Sequence, residues 1–284
     1  MVDVSVKEMM EAGAHFGHQT HRWDPRMKPF IYGVRNGIHI INLQKTLPLC
    51  EAACKFITHI VAQGRDVLFV GTKRQAQSIV SDEARRAKMP YVTYRWLGGT
   101  LTNFRTVHAS IDRLKDLEKK TAENGLEGLT KKEKLGVEKD IIKLTKALGG
   151  IKDMTGLPGV IFIVDPHREV IALQEANRLE IPVVAVADTN CNPAGVTHLI
   201  PGNDDAIKSI RLFAAKIADA CLEGLALREA ALRDRGSSQR DREESRSREV
   251  SGGKGKAFVS EPESYEDKAA GEYKGSQENS TSTK

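Results

Sequence analysis

Val67-Leu68-Phe69-Val70-Gly71-Thr72-Lys73-Arg74 is the stretch that decides the fold of this 284-residue chain. Its first four residues form a continuous apolar run, which is typical of a parallel strand covered on both faces. A glycine and two cations then lead into a helical pattern over residues 75–87. Similar apolar runs at residues 160–164 and 181–187 also alternate with helical patterns. The chain is therefore predicted to be an α/β protein with a parallel sheet.

The loop that ends this first strand could hold a phosphate. Lys73, Arg74 and the free N–H groups of the next helix would bind it. The loop contains neither the Walker pattern G-x-x-x-x-G-K-[S/T] nor the dinucleotide pattern G-x-G-x-x-G. Because an RNA backbone supplies a phosphate as readily as a nucleotide does, the loop suits both an RNA-binding protein and an enzyme that binds nucleotides or phosphate.

A second loop, at residues 94–105, joins a predicted strand at residues 90–94 to the next helical pattern. Gly98 and Gly99 lack Cβ atoms, so this corner can take a positive φ and admit another backbone or a phosphate. Arginines and aromatic rings surround the glycines, and no acidic residue interrupts them. One interpretation is a turn with a buried Trp96. The other is a nucleic-acid contact, in which arginine meets phosphate and rings pack on sugars or bases.

The N-terminal segment is predicted to form a helix over residues 4–11 and then a loop. The loop contains three histidines spaced three residues apart, His15, His18 and His21. This spacing would suit metal ligands only on a helix, and a central glycine weakens the helix, so no zinc site is predicted there.

Residues 22–37 form a basic-aromatic arm, in which four cations stand against one acid. Its prolines and glycines exclude a long regular element. The arm is interpreted as an extended segment laid along RNA. The alternative is that its rings pack on the core of the protein.

Residues 105–148 are predicted to form two charged helices with narrow apolar stripes. Such stripes are typical of a two-stranded coiled coil, so the pair is expected to project from the core and to offer its flanks to a partner. The alternative is that the helices lie on the sheet.

Four aspartates follow the predicted strands, Asp165, Asp188, Asp204 and Asp205. The strand ends of open α/β sheets form the ligand crevice, so these acids could bind a metal. Asp204 or Asp205 can equally cap the last helix, which is the favoured interpretation.

The composition favours a polyanionic partner, since the net charge is +5 and the isoelectric point is near 8.9. The four cysteines form neither a C-x-x-C pair nor a dense framework, and reduced thiols are expected. No targeting pattern and no apolar run of roughly 20 residues is found, so a soluble cytoplasmic protein without a membrane partner is expected.

These patterns divide the chain into four regions. Residues 1–37 form the N-terminal helix and arm, residues 38–104 and 149–232 the α/β core, and residues 105–148 the helical insertion. Residues 233–284 are rich in Ser, Gly, Arg, Glu and Lys and are predicted to be disordered.

Nine motifs follow one another over about residues 4–225: AHFGH at 14–18, WDPRMKPFI at 23–31, HIINL at 39–43, FVGTK at 69–73, RWLGG at 95–99, LTN at 101–103, GGIKDM at 149–154, DTN at 188–190 and IPGNDDA at 200–206. Their order resembles the bacterial and organellar family of small-subunit ribosomal protein S2. The resemblance implies a flavodoxin-like doubly wound parallel sheet with an inserted α-helical coiled-coil hairpin. It also implies a structural role in the small ribosomal subunit, without catalysis, cofactor or small-molecule substrate.

The partners that the resemblance implies are small-subunit ribosomal RNA and neighbouring ribosomal proteins, including the mRNA-binding protein S1, which the family helps to recruit. A zinc ion has been proposed near that junction. Here Asn192 and Ala194 stand where many members carry acids, so no metal is expected. The candidate RNA contacts are Arg22, Trp23, Arg26, Lys28, Lys73, Arg74, Arg95, Trp96, Asn103 and Arg105.

Two other functions remain open at this point. A flavodoxin-like enzyme could bind a nucleotide or phosphate beside residues 71–73, although no nucleophile, base or cofactor pattern supports it. A zinc-dependent hydrolase could use the three histidines of the N-terminal loop, and would then require stoichiometric metal.

Overall fold

The computed structural model describes residues 4–122 and 130–252, with the side chains of the last helix described as far as residue 233. The N-terminal part contains a short helix, α1 (Val6–Glu11), which begins with a capping box of Ser5 and Glu8. An antiparallel sheet follows, with strands in the order β1-β3-β2. Its strands are β1 (Phe16–Gln19), β2 (Ile31–Arg35) and β3 (Ile38–Ile41).

The basic-aromatic arm is not extended throughout, which corrects the interpretation from the sequence. Thr20–Arg22 and Pro25–Phe30 form two 3-10 helices before the chain enters β2. The fixed φ of Pro25 suits a first helical turn, and the Asp24 side chain accepts a hydrogen bond from Arg26 N at 2.8 Å. The histidine segment is also partly regular, because β1 pairs with β3.

The main sheet has five strands, all parallel, in the order β5-β4-β6-β7-β8. The central strands are buried along their whole length, as their continuous apolar runs predict. The order reverses between β4 and β6, as in flavodoxin-like sheets, and the predicted α/β class is confirmed. The strands are β4 (Val67–Val70), β5 (Tyr91–Val92), β6 (Val160–Val164), β7 (Val183–Ala187) and β8 (His198–Pro201).

Helices cover both faces of this sheet. They are α2 (Leu43–Ala62), α3 (Gln77–Arg86), α4 (Phe104–Ala122), α5 (Lys131–Leu148), α6 (Val170–Arg178) and α7 (Ile207–Gly252). Phe69 and Phe162 point to the face that α2, α3 and α7 cover. Leu68 and Ile161, which alternate with them, point to the face that α6 and the insertion cover.

The insertion consists of α4 and α5, which contact each other, and residues 123–129 between them lie outside the described residues. Near its base, Ile111 and Leu148 are buried in the core under the sheet. A 3-10 helix, Gly149–Ile151, then returns the chain to the sheet. A Cβ at Gly150 would lie 2.1 Å from Tyr91 O, so only glycine fits this return.

Helix α7 continues to Gly252, beyond the predicted end near Arg233. The disorder predicted for residues 233–284 stays a prediction, and residues 253–284 lie outside the described part of the chain. Residues 233–252 are rich in arginine and glutamate, which favour helices, and contain no proline. Among the described residues, none of the helices combines the length and the apolar character needed to cross a lipid bilayer.

Candidate nucleic-acid interface

The loops at the carboxyl ends of the parallel strands bring together a cluster of charges, which we call the strand-end cluster. It contains Lys73 after β4, Asp165 after β6, Asp188 after β7, and Asp204 and Asp205 after β8. Lys73 Nζ lies 2.7 Å from Asp204 Oδ1, 2.5 Å from Asp205 Oδ1 and 3.4 Å from Asp165 Oδ2. The Lys73 side chain is only 12% exposed and that of Asp204 is fully buried. Lys73 therefore holds three of these loops together by charge, those after β4, β6 and β8.

Burial and charge act in opposite directions on the pKa values in this cluster. Burial alone would lower the pKa of Lys73, but Asp204, Asp205 and Asp165 raise it above the usual value for lysine. Burial, together with the neighbouring charges of Asp165 and Asp188, raises the pKa of Asp204 to about 7, against the opposing effect of Lys73. The Asp204 side chain therefore titrates near neutral pH.

His18 fixes the N-terminal segment to the strand-end cluster. Its Nδ1 lies 2.8 Å from Asp188 Oδ2 and its Nε2 lies 3.4 Å from Asp205 Oδ2. The hydrogen bond with Asp188 raises the pKa of His18, although burial opposes it. Thr189 adds two contacts, since its hydroxyl accepts from His18 N at 3.0 Å and its carbonyl accepts from Asp24 N at 2.8 Å. The segment before the arm thus lies against the end of β7.

We expect the attachment through His18 to weaken as the pH rises. A histidine with a raised pKa in the folded state stabilises the protein fully below its unfolded pKa of about 6.5, and the effect disappears as the pH passes through the folded pKa. At pH 6 the native protein should be more stable than His18→Gln by about 1 kcal/mol. Urea unfolding of both proteins from pH 5.5 to 8.5 measures this difference, and His21→Gln serves as the exposed control. A difference that does not change with pH would contradict the ion pair.

The strand-end cluster also contains the donor atoms that could hold a metal ion. The ligand atoms of His18, Asp188 and Asp204 lie within 4.8 Å of one another, and so do those of Asp165, Cys191 and Asp204. Asp204 belongs to both sets, and the ammonium group of Lys73 already lies against it. A divalent cation would have to share this carboxylate with an ammonium group, so the donor set fits a metal poorly.

The glycine corner at residues 94–105 binds a carboxylate of the protein itself. The carboxylate of Glu175, on α6, accepts hydrogen bonds from Gly99 N at 2.7 Å, Leu101 N at 3.0 Å and Thr102 N at 3.1 Å. Trp96 Nε1 donates a further bond at 3.1 Å. Burial alone would raise the pKa of Glu175, but these bonds lower it below the usual value for glutamate. The Glu175 carboxylate therefore takes the place in this corner that the sequence offered to a phosphate.

The ten candidate RNA contacts fall into three settings. Lys73 and Trp96 point into the protein. The Lys73 ammonium group forms ion pairs with carboxylates, and the Trp96 ring packs in the core. Trp23 is half-buried, with its ring centroid 5.4 Å from that of His39. The remaining seven are exposed: Arg22, Arg26, Lys28, Arg74, Arg95, Asn103 and Arg105. Within the described residues, the six cations of this group form no ion pair.

Reasoning from the sequence missed the contacts that three residues of this surface make. Glu175 lies in the middle of a helix, and no pattern in the neighbouring sequence indicates its contacts. His18 was considered only as a metal ligand. Arg168 follows β6 in the turn before α6, and Arg168 Nε donates to Thr72 Oγ1 at 3.2 Å. Its place at the strand-order reversal could have been recognised from the topology, because ligand crevices form there.

The fold and the strand ends define a flavodoxin-like α/β protein whose own ion pairs occupy the strand ends around Lys73. A family model described as ribosomal protein S2 matches residues 9–224. The chain is 58% identical over 219 residues to small ribosomal subunit protein uS2 of Sorangium cellulosum, covering 77% of this chain and 79% of that protein. It is 57% identical over 224 residues to the same protein of Geotalea uraniireducens, covering 79% and 88%. The chain belongs to the ribosomal protein S2 family.

Membership of the family establishes the general role. The protein is a structural component of the small ribosomal subunit, acts in translation and is not an enzyme. The assignment that the nine motifs predicted is therefore confirmed, and the alternative of a flavodoxin-like enzyme is not favoured.

Proposed function

We propose that this protein is held in the small subunit by ribosomal RNA phosphates that its exposed cations neutralise. The observation that carries the proposal is that Arg22, Arg26, Lys28, Arg74, Arg95 and Arg105 are exposed and form no ion pair with a described residue. Cations that are not paired within the protein are free to replace the counterions of a nucleic acid. Lys73 does not belong to the proposed phosphate-binding cations, because three carboxylates already neutralise its charge.

The attachment of the arm to the sheet supports a preorganised binding surface. The 3-10 helix Pro25–Phe30 fixes the backbone that carries Arg26 and Lys28, and Asp24 N is bound to Thr189 O. Arg95 and Arg105 flank the corner that Glu175 holds rigid. Little conformational entropy is then lost when RNA binds, since the backbone that presents these cations is already ordered. Asn103, which is exposed at the start of α4, can add a hydrogen bond to a phosphate or a base.

The second part of the proposal concerns protein partners, including ribosomal protein S1. Three large side chains of the N-terminal sheet, Phe16, Tyr32 and Val34, are exposed over about half of their surface or more. Exposed apolar groups on a small sheet favour a docking surface for another protein. The insertion, which we propose to be a coiled-coil hairpin, offers Leu135 and Ile142 as further exposed apolar contacts.

Replacing Arg95 and Arg105 together by alanine is expected to weaken binding to the small subunit and to lower its salt dependence. Each lost phosphate contact should reduce the slope of log affinity against log salt by about one, so the pair should reduce it by about two. Rebinding of the protein to subunits stripped of it, over a series of salt concentrations, measures the slope.

The matched control changes two exposed cations away from the arm and the corner, Lys7 and Lys55, to alanine. This variant should keep the native slope, and both variants should keep the native thermal midpoint because all four side chains are exposed. Rebinding of the native protein that is independent of salt would contradict the electrostatic attachment.

A further inference from the structure

An open cleft of about 620 Å³ lies at the carboxyl end of the sheet, beside the point where the strand order reverses. Its walls come from the loops after β4, β5 and β6 and from the start of α6, and they include Thr72, Tyr94, Arg95, Arg168, Glu169 and Ile171. Such a reversal is where open α/β sheets form their ligand crevice. The strand-end cluster fills the crevice around Lys73, but this neighbouring cleft stays open.

The cationic groups of the cleft are Arg95 and Arg168. Both residues are exposed, and neither forms an ion pair with a described residue. Arg168 Nε donates to Thr72 Oγ1 at 3.2 Å, which fixes the direction of the guanidinium group, while its terminal nitrogens form no hydrogen bond with a described residue. Two guanidinium groups on one cleft suit a phosphate, which accepts paired hydrogen bonds from arginine.

Two exposed apolar side chains also line the cleft. They are Tyr94, which is 59% exposed, and Ile171, which is 53% exposed. An exposed aromatic ring in a cleft suits a nucleobase, since bases stack on aromatic rings irrespective of their sequence.

Glu169 supplies a hydrogen-bond acceptor among the residues that line the cleft. Both Thr72 N, at 3.0 Å, and the Thr72 hydroxyl donate to the same oxygen, Glu169 Oε1. Glu169 Oε2 accepts no hydrogen bond from a described residue. A carboxylate oxygen in this position would accept from the exocyclic amino group of a base, as glutamate does from cytosine N4.

We propose that this cleft binds one unpaired nucleotide. Its phosphate lies between Arg95 and Arg168, its base packs against Tyr94 and Ile171, and an amino group of the base donates to Glu169 Oε2. The inference rests on the proposed RNA-binding function, and it deepens that function. If the protein binds ribosomal RNA, the nucleotide in the cleft is expected to be an unpaired nucleotide of an RNA chain. Uracil, which has no exocyclic amino group, should bind more weakly than cytosine.

The test is a titration of the purified full chain, followed by tryptophan fluorescence, because Trp96 also lines the cleft. The probes are 5′-cytidine monophosphate, 5′-uridine monophosphate and a single-stranded oligocytidylate of six nucleotides. We expect saturable binding, about tenfold weaker for Arg168→Ala and for Arg95→Ala, since each removes a charge-assisted contact. Lys55→Ala is the control and should bind as the native protein does.

The monophosphates and the oligonucleotide together distinguish a free nucleotide from a nucleotide of an RNA chain. Binding of the oligonucleotide alone assigns the cleft to an RNA chain, whereas equal affinity for the monophosphate assigns it to free nucleotides. No saturable binding of any probe, or unchanged affinity in Arg168→Ala, would overturn the proposal. If subunit rebinding keeps its salt dependence while these titrations stay flat, the cleft proposal fails and the electrostatic attachment stands. Equal urea midpoints for the native protein and Arg168→Ala confirm that a lost signal does not come from unfolding.

Discussion

Replacing Glu175 by alanine is expected to lower the free energy of unfolding by about 3 to 5 kcal/mol, one of the two largest effects predicted for this chain. The carboxylate accepts hydrogen bonds from three backbone N–H groups of the glycine corner, those of Gly99, Leu101 and Thr102, and from the Trp96 ring. Without it, the buried donors of Trp96 and Leu101 lose their acceptor and stay out of reach of water. Urea unfolding measures the loss.

The charge of Glu175 contributes a separate part of this stability, which depends on pH. Its pKa is lowered in the folded protein, so the contribution is fully present above the unfolded pKa of about 4.3 and is lost as the pH falls through the folded value. The difference between the native protein and Glu175→Gln should therefore shrink in acid. Glutamine keeps one acceptor oxygen, so this variant should lie between the native protein and Glu175→Ala at pH 7.

Gln174→Ala is the matched control, because Gln174 is the exposed neighbour of Glu175 on the same helix. It should change the free energy of unfolding by less than about 0.5 kcal/mol. A loss below about 1 kcal/mol in Glu175→Ala would mean that the corner finds other acceptors, and the proposed rigid support of Arg95 and Arg105 would then be lost as well.

The elements of the fold could be predicted because their signals are local. The apolar runs at residues 67–70, 160–164 and 181–187 each became a buried parallel strand, since a strand covered on both faces needs no polar side. The predicted strand at residues 90–94 shrank to Tyr91–Val92, because it lies at the edge of the sheet and pairs only with β4. Sequence patterns shorter than ten residues therefore predict that an element is present more accurately than they predict its first and last residues.

The partners of the two glycine loops could not be predicted, because they are distant in the sequence. Both loops carry the residues of a phosphate site, yet each binds an acid of the protein itself. The acid that binds Gly99 is 76 residues away, and the acid that binds Lys73 Nζ is 131 residues away. A loop rich in glycine and cations indicates that an anion will bind there. Whether the protein or a ligand supplies that anion depends on the tertiary fold.

Replacing Lys73 by methionine is expected to destabilise the protein by about 3 to 5 kcal/mol at pH 8, because it leaves buried carboxylates without their cation. Asp204 is fully buried, the side chain of Asp165 is 8% exposed, and both lie within 3.4 Å of the Lys73 ammonium group. Methionine keeps most of the volume and the flexibility of lysine, so the lost charge dominates the effect. Urea unfolding at pH 6 and pH 8 measures it.

The pH dependence identifies Asp204 as the group responsible. Its pKa of about 7 in the folded protein lies above the unfolded value of about 3.9, so ionisation of Asp204 opposes folding increasingly as the pH rises between these values. Without Lys73 the pKa of Asp204 should rise further, since the group that opposes the shift is gone. The variant should therefore lose more stability at pH 8 than at pH 6.

Two further variants separate this buried network from an ordinary ion pair. Lys73→Met combined with Asp204→Asn should recover a large part of the loss, because the remaining carboxylates are fewer and Asp205 is half exposed to water. Lys7→Met is the matched control, since the Lys7 side chain is 86% exposed and its ion pair with Glu11 spans 4.0 Å, and it should change stability by less than about 0.5 kcal/mol. If the double variant were as unstable as Lys73→Met, charge repulsion among the strand-end carboxylates could not be the cause, and the loops would have to be held by packing instead.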